Sequence, residues 1–399
     1  MSIRRYRNGS QQACGNARRP FRLVRRVWCD KSGSAFDTPD TYAYLYNTRS
    51  ELTNATAAVD SAYRYGYDFD DIGNRRSSVE RRTQSAEYTA NNLNQYTAVD
   101  AFVPQYDADG NQTLVKTATG IWQVTYNGEN RPILWTHLVD ESNNQTNQTI
   151  SMSFDRMGRR VTKNDQRFVY NGYLQVANYH LSSTNYHLFV WDPTEPVATR
   201  PLVWTKNDIS SYYAFDGNKN VSEVLAADGS LSAHYEYAPF GALTVSRGES
   251  AATNPWRFSS EYAEDDTATV YYNYRHYEPV IGRWLGRDPI GESASNNLVL
   301  YVENKTLTQI DQLGMTPIMG TSITGQTYYY GDVDDHERAL TYISDSPGFD
   351  GAELFSRATH WGYIDLNDEN DFDPNSKAEG CACIKKRLFV HDCGYSFAA

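Results

Sequence analysis

A mainly β protein, built from antiparallel hairpins and ending in a compact α+β or irregular extension, is the fold class this sequence predicts. Three observations predict it. Tyr supplies 31 of the 399 residues, within an aromatic share of 14%, and rings with a polar tip favour pleated, half-buried strands. Short segments alternate in polarity, as in Trp122-Gln123-Val124-Thr125-Tyr126 and Ser232-Ala233-His234-Tyr235-Glu236-Tyr237. Turn-forming clusters punctuate these segments, the pattern of successive hairpins.

The punctuation is a degenerate repeat: an aromatic residue, then Asp or Asn, two or three residues, then Gly or Asn and often Arg. It reads Phe69-Asp70-Asp71-Ile72-Gly73-Asn74-Arg75, Tyr106-Asp107-Ala108-Asp109-Gly110-Asn111 and Tyr126-Asn127-Gly128-Glu129-Asn130-Arg131. Looser copies begin at Phe154, Phe215 and Tyr237. Asp or Asn bonds back to the backbone in such a unit, and Gly or Asn accepts a positive φ. One hairpin cannot cover its own apolar face, so successive units are expected to stack. Helix is expected only over Ser85–Asn94 and Glu337–Ser344.

Charge divides the chain. Residues 1–41 form a basic, irregular leader, with nine Lys/Arg against three Asp over the first 40 positions. Residues 316–399 reverse the balance, with 14 Asp/Glu against six Lys/Arg. The net charge of -12 disfavours a general nucleic-acid binder. No stretch approaches the roughly 20 apolar residues of a membrane-spanning helix, and no signal-like apolar segment opens the chain. Five Cys are too few, and odd in number, for a disulfide framework. Cys14 and Cys29 are left open as free or paired.

The repeat units resemble the YD-peptide repeats of the RHS (rearrangement hotspot) family. The stretch from Tyr235 to Met315 resembles the RHS-associated core more closely. It carries Asn254-Pro255-Trp256-Arg257-Phe258-Ser259-Ser260-Glu261-Tyr262, Tyr271-Tyr272-Asn273-Tyr274-Arg275-His276-Tyr277 and Gly282-Arg283-Trp284-Leu285-Gly286-Arg287-Asp288-Pro289-Ile290-Gly291. It closes on Asn297-Leu298-Val299-Leu300-Tyr301 and Asp311-Gln312-Leu313-Gly314-Met315. The resemblance implies a ribbon of repeats over 42–234 that curls into a shell, a core domain over 235–315 that plugs it, and a variable, toxin-like cargo over 316–399. The repeat array is short for the family, which implies a partial shell with exposed edge strands. Core side chains are expected at Trp256, Phe258, Tyr271, Tyr277, Trp284, Leu298 and Tyr301.

Cleaved relatives use this core as an aspartyl autoprotease, with two Asp-Pro-x-Gly-Leu motifs. By resemblance the catalytic pair here is Asp288 and Asp311, 23 positions apart as in the family, with the cut between Met315 and Thr316. Two close carboxylates, one ionised and one protonated, suit peptide hydrolysis, and Arg287 is expected to hold one of them charged. Gln312 in place of Pro, Met315 in place of Leu and Glu292 in place of Leu depart from the motifs. The competing reading is that both Asp residues only cap tight turns.

In the C-terminal segment, Cys381, Cys383, His391 and Cys393 flank a candidate hairpin. They would close either around Zn²⁺ or as buried thiols or a disulfide. Asp332, Asp334, Asp335, His336, Glu337 and His360 read as a hydrolytic metal centre or, more simply, a solvated acidic loop. No other cofactor is expected. The family setting implies a secreted or cell-surface bacterial protein whose partners are its own C-terminal segment and a cognate immunity protein. The alternatives are a carbohydrate- or protein-binding module, with sugar stacking on exposed Tyr, and a truncated inactive member.

Overall fold

The computed structural model describes residues 25–319 except 32–34, 37, 140–144, 194–199, 294, 312 and 316, and three short C-terminal strands. Two compact units divide the chain, Met1–Pro317 and Ile318–Ala399. Up to Arg247 the first unit is an antiparallel meander whose strands pair in chain order. Seven strands from Arg25–Lys31 to Tyr96–Val99 make one sheet, and fourteen from Gln105–Tyr106 to Leu243–Arg247 make the next. Both sheets are open. The outermost strands at the break between them are short, four and two residues, which leaves little edge for stray pairing.

The repeat unit builds one kind of turn over and over. In Asp70–Asn74, Oδ1 of Asp70 accepts the backbone N–H of Ile72 at 3.0 Å and of Asn74 at 2.8 Å. Asn127 does the same for Glu129 and Arg131, Asp155 for Met157 and Arg159, and Asp216 for Asn218 and Asn220. The fourth residue of the unit takes a positive φ, at Gly73 (88°), Gly110 (85°), Asn130 (60°) and Lys219 (63°). The strand before each turn carries a bulge, as between Asp68 and Phe69 or Thr125 and Tyr126. A tight turn followed by a left-handed residue and a bulge is a common way to join twisted strands.

Two more units escape the sequence pattern, Asn47–Glu51 and Asn91–Gln95. The second overturns the helix expected over Ser85–Asn94. Gln84–Ala90 is a strand, because Oδ1 of Asn91 captures the N–H groups of Leu93 and Gln95 and Asn94 takes φ 63°, which ends any helix. The leader is likewise not irregular throughout. Arg25–Lys31 pairs along its length with Asp40–Tyr46. The meander also runs past residue 235, since Leu231–Tyr237 and Leu243–Arg247 extend the long sheet.

The segment after Arg247 covers the inner face of the sheets. It holds a four-stranded sheet of Tyr262–Glu264, Thr269–Tyr271, His276–Glu278 and Arg283–Trp284. Its rings enter the main hydrophobic core, where Trp256, Phe258, Tyr271, Tyr277, Trp284 and Tyr301 meet Phe168, Phe189 and Trp204 of the meander. Leu298 is only half-buried, and Val299 is the buried neighbour. The repeat turns form a rim around this segment. Asn74 and Asn94 accept from Arg283, Arg131 donates to the Tyr274 carbonyl at 2.6 Å, and Ser259 donates to Asn220 at 2.7 Å.

The first strand of the meander and its penultimate strand, Leu231–Tyr237, meet through side chains. Lys31 lies 3.5 Å from Glu236, and the buried His234 sits between Glu223 (3.3 Å) and Glu236 (3.4 Å). Cys29 is a free thiol; Cys14 lies outside the described residues. In the second unit, Gly362–Ile364 pairs parallel with Ala382–Ile384, which pairs antiparallel with Arg387–Leu388.

Candidate aspartate site

Asp288 and Asp311 come together through Arg275. Strand pairing turns the Arg275 side chain under Trp284, its guanidinium 4.0 Å from the ring centroid. One terminal nitrogen lies 2.7 Å from Asp288 Oδ2 and 3.5 Å from Asp311 Oδ2. Nε donates to the Gly314 carbonyl at 2.6 Å, and the other terminal nitrogen donates to the Leu298 carbonyl at 3.2 Å. The chain around the expected cut is therefore tied to the cation that bridges the two acids.

The two acids differ in what else they hold. Oδ1 of Asp311 accepts three backbone N–H groups, from Leu313 (3.2 Å), Gly314 (2.7 Å) and Met315 (3.1 Å). The turn 311–315 is thus wound on this carboxyl, with Gly314 at φ 78°. Asp288 takes one N–H at Oδ1, from Ile290 at 3.1 Å. Asp288 also borders a cavity of about 340 Å³ shared with Arg275, Arg287, His276, Arg131 and Glu129.

Electrostatics push both acids toward the protonated form. Burial drives Asp288 up to about 6; the Arg275 charge opposes this and the Asp311 charge adds to it. Burial also raises Asp311, against Arg275 and the three N–H groups. One guanidinium serves two buried carboxyls, so the arrangement favours one shared proton. A third acid, Glu261, is buried nearby and held well above the carboxylate range by desolvation and then by the Asp311 charge.

Arg287 does not take the role expected of it. It is exposed and lies over Gly110, where it leaves no room for a Cβ. Arg275 stands in that place instead, the cation buried between the two acids. The sequence carried a signal for it: an Arg inside the aromatic run 271–277 is costly to bury without an acid partner. Glu261 and His276 were likewise passed over. Thr316 and Gln312 lie outside the described residues. So do Cys381, His391 and Cys393, and of Cys383 only its strand position opposite Leu388 is described. The cluster from Asp332 to His360 and the helix expected over Glu337–Ser344 are also outside them. Among the described residues no three His, Cys, Asp or Glu side chains converge as metal ligands, and no helix is long and apolar enough to cross a membrane.

The comparisons agree with this architecture. The sequence model of the Teneurin YD-shell family matches residues 33–304. The double-stranded DNA deaminase toxin A of Burkholderia cenocepacia is 24% identical over 317 residues, covering 71% of this chain and 22% of that protein. Toxin subunit YenC2 of Yersinia entomophaga is 36% identical over 94 residues, covering 23% of this chain and 10% of its own. The crystal structure of a TcdB2-TccC3-Cdc42 complex superposes with a TM-score of 0.56 at 20% identity, over 74% of this chain and 17% of that one. The chain therefore spans about a fifth, or less, of these relatives' lengths, and the superposition speaks for the fold.

Proposed function

From the premise that this chain belongs to the YD-shell family, we propose that it is a β-shell scaffold that presents a C-terminal effector segment and releases it by cutting itself after Met315. The observation that carries the reading is the Asp288–Arg275–Asp311 cluster, with the Asp311 carboxyl bonded to the Met315 N–H at 3.1 Å. A pair of carboxyls that differ in ionisation can activate water and protonate a leaving amine. Holding the peptide against its own acids supplies proximity without a binding step.

The toxin names of the relatives support an extracellular setting, with residues 316–399 as the cargo and a cognate immunity protein as partner. The alternative of sugar stacking on a tyrosine surface has less support. Tyr44, Tyr46, Tyr65, Tyr67, Tyr96 and Tyr235 all turn their rings inward. The test is the intact mass of purified wild type beside Asp311→Asn. The expected result is two wild-type fragments, one ending at Met315 and one starting at Thr316, and an uncut variant. A folded wild type that stays whole would remove the enzyme and leave a scaffold.

A further inference from the structure

We propose that two neighbouring hairpin tips, 58–63 and 81–83, form a knuckle that binds anionic membrane surfaces. Val59 enters the headgroup layer, and Arg64, Arg81 and Arg82 hold lipid phosphates. These residues have no part in the aspartate site, so the proposal stands whether or not the chain cuts itself.

The first sign is a turn filled against local preference. Arg81 and Arg82 follow the strand Arg75–Glu80 and lead into Gln84–Ala90. Both are left-handed, at φ 47° and 68°. The turn at Asn207 and Asp208 repeats the pair at 46° and 69°, with residue types that accept such angles. An arginine has no local bond to gain there, and its Cβ makes the conformation costly. Both arginines are exposed, and neither enters a salt bridge among the described residues. Where a local rule is broken with no ion pair to offset it, a functional site is expected.

The neighbouring tip completes the surface. The N–H of Arg82 donates to the Arg64 carbonyl at 2.9 Å, which sets the exposed Arg64 beside the turn. Val59, on the tip that precedes Arg64, is 59% exposed. That tip is held firmly. Asp40 accepts the N–H groups of Ala58 at 3.0 Å, Val59 at 2.9 Å and Asp60 at 2.8 Å. An exposed aliphatic side chain on a fixed tip beside arginines suits the bilayer interface, where apolar burial and lipid charge act together.

The nearby acids do not cancel the arginines. Asp60 is the sole acid of the two tips, and its Oδ1 accepts the Ala62 N–H at 2.9 Å. Glu80 is drawn to the buried Arg75 at 3.8 Å. The next tip carries Asp100, whose N–H bonds to the Glu87 carbonyl. Glu87 is three residues inside the strand that starts at Gln84, so Asp100 lies roughly 10 Å behind the knuckle. Nucleic acid suits this surface less well. Three arginines reach few phosphates, Val59 adds nothing to a duplex, and the net charge of -12 repels a long polyanion.

Vesicle flotation of the full-length protein tests this. Mixed phosphatidylcholine–phosphatidylserine vesicles should carry the protein at low salt and release it at high salt, and pure phosphatidylcholine vesicles should not carry it. The double variant Arg81→Asn, Arg82→Gly should bind about 25-fold more weakly, or about fivefold for each arginine. It should melt no lower than wild type, because Asn-Gly suits a left-handed pair. Val59→Ser should weaken binding about fivefold, as expected for an aliphatic side chain buried in part. Equal binding to neutral vesicles, no binding to anionic ones, or wild-type binding by the double variant overturns the proposal. So does retention on duplex DNA in place of vesicles. A double variant that melts lower than wild type would make the arginines structural, and overturns it as well.

Discussion

Two buried ion clusters in the core segment have opposite stoichiometry. Glu264 is one buried carboxylate between two cations, bonded to Arg160 and to Lys163, the latter at 2.5 Å, while Lys163 also reaches the exposed Asp266 at 2.8 Å. Arg275 is one cation between two carboxyls. Both clusters are desolvated, so geometry alone does not separate them. The charge count does. Burial would raise Glu264, but Arg160 and then Lys163 outweigh it and hold the group at about 2, so it stays ionised and acts as a staple between core and meander. An acid surplus keeps a proton near neutral pH, and a group that can give or take a proton is what hydrolysis requires.

The largest effect expected is loss of cutting in Asp288→Asn or Asp311→Asn, read on a denaturing gel, with the staple untouched. Next, Arg275→Met should abolish cutting and also destabilise by roughly 3–5 kcal/mol, since removing one partner strands buried charge. Glu264→Gln should cost a similar 3–5 kcal/mol by urea denaturation, yet the folded fraction should still cut. If Glu264→Gln also stops cutting in folded protein, the contrast between the clusters fails.

Acid should act on the two clusters with opposite sign. The depressed Glu264 contributes about 3 kcal/mol above its unfolded pKa, and this is lost as pH falls from 4.5 toward about 2. The raised Asp288 contributes in the other direction. Its roughly 3 kcal/mol is fully present below pH 3.8 and lost as pH rises through about 6. Cutting should therefore change across about pH 6, where Asp288 titrates, as measured by timed quenching. A flat profile across that range would deny the aspartate pair a part in proton transfer. The smallest effect belongs to the repeat. Asp70→Ala removes the acceptor of two backbone N–H groups and should lower stability by about 1 kcal/mol, seen as a modest drop in melting temperature without loss of cutting.

The repeat was legible because its information is local. Asp, Gly and Asn at fixed offsets decide the turn within five residues, and the alternation of polarity decides the strands on either side. Asn47–Glu51 and Asn91–Gln95 were missed because neither contains the glycine that every unit legible in the sequence carries; Ser50 and Asn94 take the positive φ there. The two aspartates were legible through their family motifs, but their cation was not. Arg287 stands next to Asp288 in the chain, whereas Arg275 reaches it only after the strand His276–Glu278 has folded back against Arg283–Trp284.

The amino-acid sequence by itself determined the β class, the turn chemistry and the family, all of which depend on contacts a few residues apart. Tertiary structure alone decided which arginine bridges the acids, which acid meets the cavity, and which buried carboxylate is a staple. Those distinctions rest on burial and on charges brought together from distant positions, and desolvation has no value until the chain has closed around the group.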